Sequence, residues 1–436
     1  MRLKIKTPKL AVAMRLFTHL KWLLNHTGIR LFYCLPAVLL CMASGALSAT
    51  VSPRAYTNEA QLNNVGAAQF EQYLPGLAGK RVAMVVNQSA VVSAKEHLVD
   101  VLVSKEVDIV RILSPEHGFR GDKGAGVIID DGKDSATGLP IYSLYGKTKK
   151  PTKEMLRGID VIVFDLQDVG VRFYTYLSTL HYVLEAAAQH DVEVIVLDRP
   201  NPNGAFTDGP TLSMDFQSFI GMHPIPVLHG MTLGELALMI KGEGWIDGAD
   251  RLNLSVVPVT HYHKQKPYKL PVAPSPNLPN ALSVALYPTL CFFEGTDVSI
   301  GRGTATPFQL IGHPTITLGD SRATIKSTAA APTPKHQNTR IFARYLTRQD
   351  VTGLSPELWV QVYQTFAANN ANFFTRGAFF DKLAGSSQLR EQIKAGKSAQ
   401  EIRASWQADL AAFKKQRAPY LLYPLHAPAH NDARLK

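Results

Sequence analysis

Three loops carry residue types suited to chemistry on a polar ligand. The first is Glu116-His117-Gly118-Phe119-Arg120-Gly121-Asp122, which sets charged groups among two glycines. Glycine permits tight turns and close approach of a ligand to the backbone. A carboxylate there is a candidate general acid or base if burial raises its pKa. The same residues also fit a surface loop held by a Glu–Arg pair. The second is Asp165-Leu166-Gln167-Asp168-Val169-Gly170-Val171-Arg172-Phe173-Tyr174-Thr175-Tyr176. Its acids, arginine and three hydroxyl-bearing side chains suit a polyhydroxylated, acidic ligand, because aromatic faces stack on sugar rings and arginine grips carboxylates bidentately. In the alternative, Asp165 and Asp168 cap the next helix and Arg172 pairs with one of them. The third runs from Glu294 through Asp297 to Gly301-Arg302-Gly303-Thr304, again a carboxylate beside glycines and an arginine.

Two further loops are rigid by composition. In Asp198-Arg199-Pro200-Asn201-Pro202-Asn203-Gly204 the prolines hold the chain extended and Asn203-Gly204 makes a turn, so Asn203 either binds a sugar or closes that turn. Pro274-Ser275-Pro276-Asn277-Leu278-Pro279 presents Asn277 in the same way. His229, alone among apolar neighbours, reads as structural more readily than catalytic. His261-x-His263 and the scattered acids do not form a zinc or iron pattern, so no metal is expected. No Gly-x-Ser-x-Gly elbow is present, which disfavours an α/β serine hydrolase.

The elements that must position these loops alternate. Short apolar runs at Val82–Val86, Asp108–Leu113, 159–165 and Val192–Leu197 read as strands, and stretches at His97–Val103 and Tyr176–Ala188 read as helices. The runs are mostly continuous rather than alternating, as in a parallel sheet covered on both faces. The rhythm predicts a doubly wound, Rossmann-like α/β layer. No Gly-x-Gly-x-x-Gly follows the first strand and no Walker motif occurs, so the layer is not read as a nucleotide site. Ligands in such sheets sit outside the carboxyl ends of the strands, and the acid-bearing loops fall there. Thr232–Lys241 predicts another helix, with a Thr232–Glu235 capping box. Residues 319–340 read as a solvated loop or a crossing between domains, and the tail from Ser355 as mainly helical.

The formal charge of +11 invites a nucleic-acid reading, but seven of the cations and no acid lie within residues 1–49; without them the balance is +4. The basic stretch, the apolar run Leu31–Met42 and the small residues Ala43–Ala49 have the layout of a secretory signal. The run is short for a bilayer core, which needs about 20 residues. A periplasmic protein cut between Gly45 and Ser52, with no stable membrane span afterwards, is therefore expected. Cys34 and Cys41 fall in this leader, leaving Cys291, between Leu290 and Phe292, as a buried small hydrophobe. The expected boundaries are a signal peptide at 1–49, a lead-in at 50–79, a Rossmann-like catalytic domain at 80–290 and a C-terminal α+β domain at 291–436.

The blocks Glu116–Gly121, Asp168–Tyr176, Leu197–Gly204, His229–Ala237, Pro274–Pro279 and Glu294–Thr304, in this order, resemble the NamZ-type exo-β-N-acetylmuramidase family. The resemblance is clear from Lys80 to Pro314 and thinner to Tyr423. It departs at Pro271-Val272-Ala273, where the family has a tryptophan, at Asn280-Ala281-Leu282-Ser283, and over 315–350. It implies a Rossmann-like domain joined to a smaller α+β domain, an active cleft between them, no cofactor, and release of N-acetylmuramic acid (MurNAc) from the non-reducing end of peptidoglycan-derived MurNAc–GlcNAc glycans. Glycoside hydrolysis commonly uses two carboxyl groups. Glu116 is the first choice, with Glu294 or Asp168 as the second. His117, Arg120, Tyr174, Asp198, Arg199, Asn203, His229 and Asn277 are carried over as substrate-binding candidates. Arg172, Arg199 and Arg302 are the candidates to meet the lactyl carboxylate of MurNAc, with Arg172 favoured. A non-catalytic peptidoglycan-binding module and an esterase or amidase acting on wall fragments remain the alternatives.

Overall fold

The computed structural model describes residues 62–94, 96–119 and 131–427. The leader, part of the lead-in, and Arg120 with Gly121 and Asp122 lie outside the described residues. From the first described residues the chain passes through a helix, Phe70–Leu77, into strand β1 (Val82–Val86) and then β2 (Ile109–Ser114), β3 (Gly132–Lys133), β4 (Pro140–Ser143), β5 (Val161–Asp165) and β6 (Glu193–Leu197). A short antiparallel ribbon of β7 (Asp208–Thr211) and β8 (Pro226–Leu228) precedes β9 (Leu254–Val257). The main sheet has seven strands in the order β3-β4-β2-β1-β5-β6-β9. Every neighbouring pair is parallel except β3 with β4. Leaving out the edge strand β3, this is the doubly wound order in which the chain runs outward one way from β1 and then returns to run outward the other way.

The strand sequences explain the layering. All five residues of β1 and of β5 are buried, and their side chains divide by parity. Ala83, Val85, Ile162 and Phe164 enter one core, whereas Val82, Met84, Val86, Val161 and Val163 enter the other. A strand covered on both faces needs an apolar residue at every position, which is why these runs do not alternate. Helices Leu98–Ser104, Tyr176–His190 and Leu233–Gly242 fall where the apolar spacing predicts them. The last has its capping box complete, Thr232 accepting from the Glu235 amide and Glu235 from the Thr232 amide. Strand β4, between β3 and β2, and the edge strand β9 are four residues each, too short to be read from the sequence.

After helix Ala281–Leu290 and the 3-10 turn Cys291–Gly295, the chain builds a three-stranded antiparallel sheet from β10 (Leu310–His313), β11 (Ser321–Thr324) and β12 (Arg340–Tyr345), in the order β10-β12-β11. Five helices between Pro356 and Arg417 follow, as the tail predicts. The stretch 319–340 thus holds a strand as well as loop. Phe292, Trp359, Phe366 and Phe380 belong to the same core as Phe164 and Val196, so this smaller unit continues the core of the large sheet. The end of the chain also returns to that sheet, where the Tyr423 hydroxyl donates to Asp198 at the end of β6 over 2.7 Å.

Candidate active site

The strand order reverses between β1 and β5, and the loops leaving the carboxyl ends of β1, β2 and β5 converge there. Asn87, just past β1, donates to the Tyr176 hydroxyl over 2.6 Å, and that hydroxyl lies 3.4 Å from the main-chain oxygen of Glu116. Glu116 follows β2 in a turn closed by Gly118 N donating to Pro115 O. His117, buried in that turn, has φ 76°. A left-handed conformation costs a residue with a Cβ about 1–3 kcal/mol, and such strain is concentrated at functional sites.

The Glu116 side chain opens into a cleft of about 510 Å³, within the range of small-molecule sites. Its Oε2 accepts from Thr175 Oγ1 over 2.7 Å, and the Tyr145 hydroxyl bonds the same side chain. Burial, followed by the charge of Glu116 and its hydrogen bond, pushes the Tyr145 pKa above the ordinary phenol value, so Tyr145 serves as a hydroxyl donor. The carboxylate is thereby oriented by two donors from different loops.

A second carboxylate, Glu294, lines the same cleft from the 3-10 turn. Arg302 holds its Oε1 through Nε at 2.9 Å and Nη2 at 2.7 Å, and lies 4.8 Å from the Phe308 ring centroid. Burial opposes the Arg302 charge, but Glu294 outweighs it and the pKa is raised. Gly301 and Gly303, both at φ 81°, flank Arg302; a Cβ on Gly303 would run into the Lys326 carbonyl. Aromatic rings complete the wall. Tyr287 meets Phe173, Tyr174 and Phe308 edge-on at centroid distances of 5.5, 6.0 and 5.0 Å. Asn277 also lines the cleft, its Nδ2 held by the Ala330 carbonyl, and Tyr174 donates to Pro274 O over 2.9 Å. Cys291 is present too, but burial, then Glu294, pushes its thiol well above the ordinary range, so it is no ready thiolate.

Glu116, His117, Tyr174, Asn277, Glu294 and Arg302 therefore meet in one place. Arg172 does not join them. It is fully buried, with Nη1 donating to Pro210 O and Ile225 O and Nη2 to Leu383 O, all at 2.7–2.8 Å. It ties the β5 loop to the β7–β8 ribbon and to helix Gly377–Ala384, rather than facing a ligand. Arg199 is likewise turned inward, in a bidentate ion pair with Asp165 at 2.5 and 2.8 Å. Asp198 accepts from Thr232, Tyr423 and the Gly234 amide. Asn203 donates to Val169 O, and the Asn201 beside it sits against Gly170, where a Cβ would collide with its side chain. His229 is buried with Nδ1 accepting from Met231 N; burial, then Lys264 and Arg417, pulls its pKa down to about 3, so it is neutral. Arg120 lies outside the described residues.

Asp168 also stands behind the wall, its Oδ2 accepting from Gly170 N over 2.6 Å. Burial pushes its pKa up from 3.8 to about 7 against the pull of the Gly170 and Val169 amides. The folded state thus binds this proton more tightly than the unfolded chain. The resulting stabilisation is complete below about pH 4 and is lost as the pH rises through about 7. Asp168→Asn is expected to flatten the fall in unfolding free energy between those limits, measured by urea titration at several pH values; an unchanged slope would remove Asp168 as its source.

One cluster outside the cleft has metal-type donors: Asp297, His313 and His336. His313 Nδ1 accepts from the Ile316 and Thr315 amides, so its proton resides on Nε2, which donates to Asp297 Oδ2 over 3.1 Å. The lone pair a metal needs is not available there, and the cluster acts as a hydrogen-bonded brace.

Residues 82–282 match the family model described as exo-β-N-acetylmuramidase NamZ, N-terminal, and residues 285–423 match its C-terminal counterpart. The chain belongs to the NamZ exo-β-N-acetylmuramidase family. Each matched segment supplies one cleft carboxylate, Glu116 from the first and Glu294 from the second. A relative from Bacillus subtilis (strain 168), the peptidoglycan β-N-acetylmuramidase NamZ, is 40% identical over 375 residues, covering 80% of this chain and 89% of that protein. Two crystal structures of DUF1343 family proteins from Bacteroides fragilis NCTC 9343 share the fold. One has a TM-score of 0.75 at 40% identity over 83% of this chain and 99% of that one; the other has 0.70 at 30% identity over 83% and 98%. This NamZ-type cleft is also lined by Tyr145, Lys149, Phe219 and Arg376, none of which lies in a motif block. Tyr145 and Lys149 follow the four-residue strand β4, which gives no periodic signal, and Arg376 sits in the helical tail outside the motif blocks.

Proposed function

We propose that this cleft hydrolyses β-glycosidic bonds of MurNAc at the non-reducing ends of peptidoglycan-derived glycans. The observation that carries the reading is the meeting of Glu116 and Glu294 in one cleft walled by aromatic rings, with Glu116 oriented by Thr175 and Tyr145. Acid/base glycoside hydrolysis commonly uses two carboxyl groups, and both Glu116 and Glu294 line this cleft. Family membership and the B. subtilis relative's name support MurNAc as the sugar. A chromogenic MurNAc glycoside assayed beside a chromogenic acetate ester tests the reading. Glycoside turnover supports it, ester turnover alone points to an esterase, and neither points to a binding module.

The proposal includes export to the periplasm, where such glycans are found, on the strength of the basic, apolar and small-residue order of the first 49 positions. The native protein is expected to begin between Gly45 and Ser52 when sequenced from its amino end. A native chain starting at Met1 or Met14 would contradict this.

A further inference from the structure

MurNAc carries a lactyl carboxylate that GlcNAc lacks, so a selective site needs a cation whose charge is not already spent. Among the described residues lining the cleft the cations are Lys149, Arg302 and Arg376. Arg302 directs two N–H groups to Glu294. Arg376 is exposed, beside Phe379 at 4.6 Å, where it meets solvent as readily as ligand. Lys149 is half-buried, and its Nζ lies 4.2 Å from the Phe219 ring centroid. Phe219 is itself held by stacking on Tyr182, at 6.2 Å and 12° between planes. A π face positions an ammonium without neutralising it and leaves its N–H donors for an anion. The neighbouring Lys150 is paired with Glu185 at 2.6 Å, whereas no carboxylate pairs with Lys149 among the described residues. Lys149 also follows Tyr145 by four residues on one loop, and Tyr145 bonds Glu116, so the cation and the reacting carboxyl share a wall.

We propose that Lys149, seated on Phe219, is the specificity-determining residue that receives the lactyl carboxylate of MurNAc. This rests on the muramidase reading. A lysine there acts as a point charge on a flexible stem, which suits a carboxylate that swings on an ether.

The test uses the whole protein and two fluorogenic substrates, the MurNAc glycoside and its lactyl methyl ester, which keeps the shape and removes the charge. A charged hydrogen bond corresponds to a preference of roughly ten- to a hundredfold in kcat/KM for the acid. In Lys149→Met, which retains an apolar stem against Phe219, the acid-to-ester ratio should fall towards one, and Lys149→Arg should restore part of it. A purely structural role would lower both substrates and leave the ratio intact, which would overturn the proposal. A ratio that survives Lys149→Met and collapses in Arg376→Met would overturn it also. Wild-type protein that cleaves neither substrate would sink the muramidase reading and this assignment together, whereas cleavage with no acid preference would sink this assignment alone.

Discussion

Glu116→Gln is expected to lower kcat on a MurNAc glycoside by at least about a hundredfold, the low end of a positioned acid/base contribution, while the protein unfolds as the wild type does. Glutamine keeps the size of the side chain and an oxygen that can accept from Thr175, so the turn after β2 should persist. What is lost is the ability to give or take a proton. Steady-state kinetics with an unfolding curve separates the two effects. Near-normal turnover in a folded variant would remove Glu116 from the mechanism.

The second large effect falls on stability. Arg172→Ala should destabilise the protein by at least about 2 kcal/mol, because three carbonyls lose the guanidinium donor and only Ile225 O keeps another, the Leu212 amide; each of the other two costs roughly 1–3 kcal/mol when left unsatisfied. The three carbonyls belong to Pro210, Ile225 and Leu383, on the β7–β8 ribbon and on helix Gly377–Ala384. Gly385, at φ 85°, lies where a Cβ would come within 2.9 Å of Arg172 Nη2, so the guanidinium is closely seated. The loss should appear in urea unfolding and should reduce activity on every substrate alike. A stably folded Arg172→Ala variant that had lost only its preference for MurNAc would contradict this role and return Arg172 to ligand recognition.

Arg172 also illustrates what the sequence conveys. Its neighbours Phe173 and Tyr174 do line the cleft, so the loop was legible as a site. A loop has no fixed period, however, and which of its side chains faces the ligand depends on partners more than thirty residues away, here the carbonyls of Pro210, Ile225 and Leu383. The same holds for Asp198 and Arg199, whose polar groups at a strand end are consumed by Thr232, Tyr423 and Asp165. The central strands β1, β5 and β6 were readable because burial on both faces demands nearly unbroken apolar runs, and β2 because its apolar residues are interrupted only by Arg111. Lys149 and Tyr145 were not, because a loop after a four-residue strand has no period, and a lysine on an aromatic face leaves no local spacing to recognise.

The most direct measurement is to incubate the purified protein with two short, reduced-end glycans of the same composition, one with MurNAc at the non-reducing end and one with GlcNAc there. Free sugars are then identified by mass spectrometry. A cleft in which Glu116 and Glu294 work on a terminal MurNAc should release free MurNAc from the first glycan and nothing from the second, and Glu116→Gln should abolish that release. Internal cleavage of either glycan, or release of GlcNAc from the second, would contradict the exo-acting muramidase assignment.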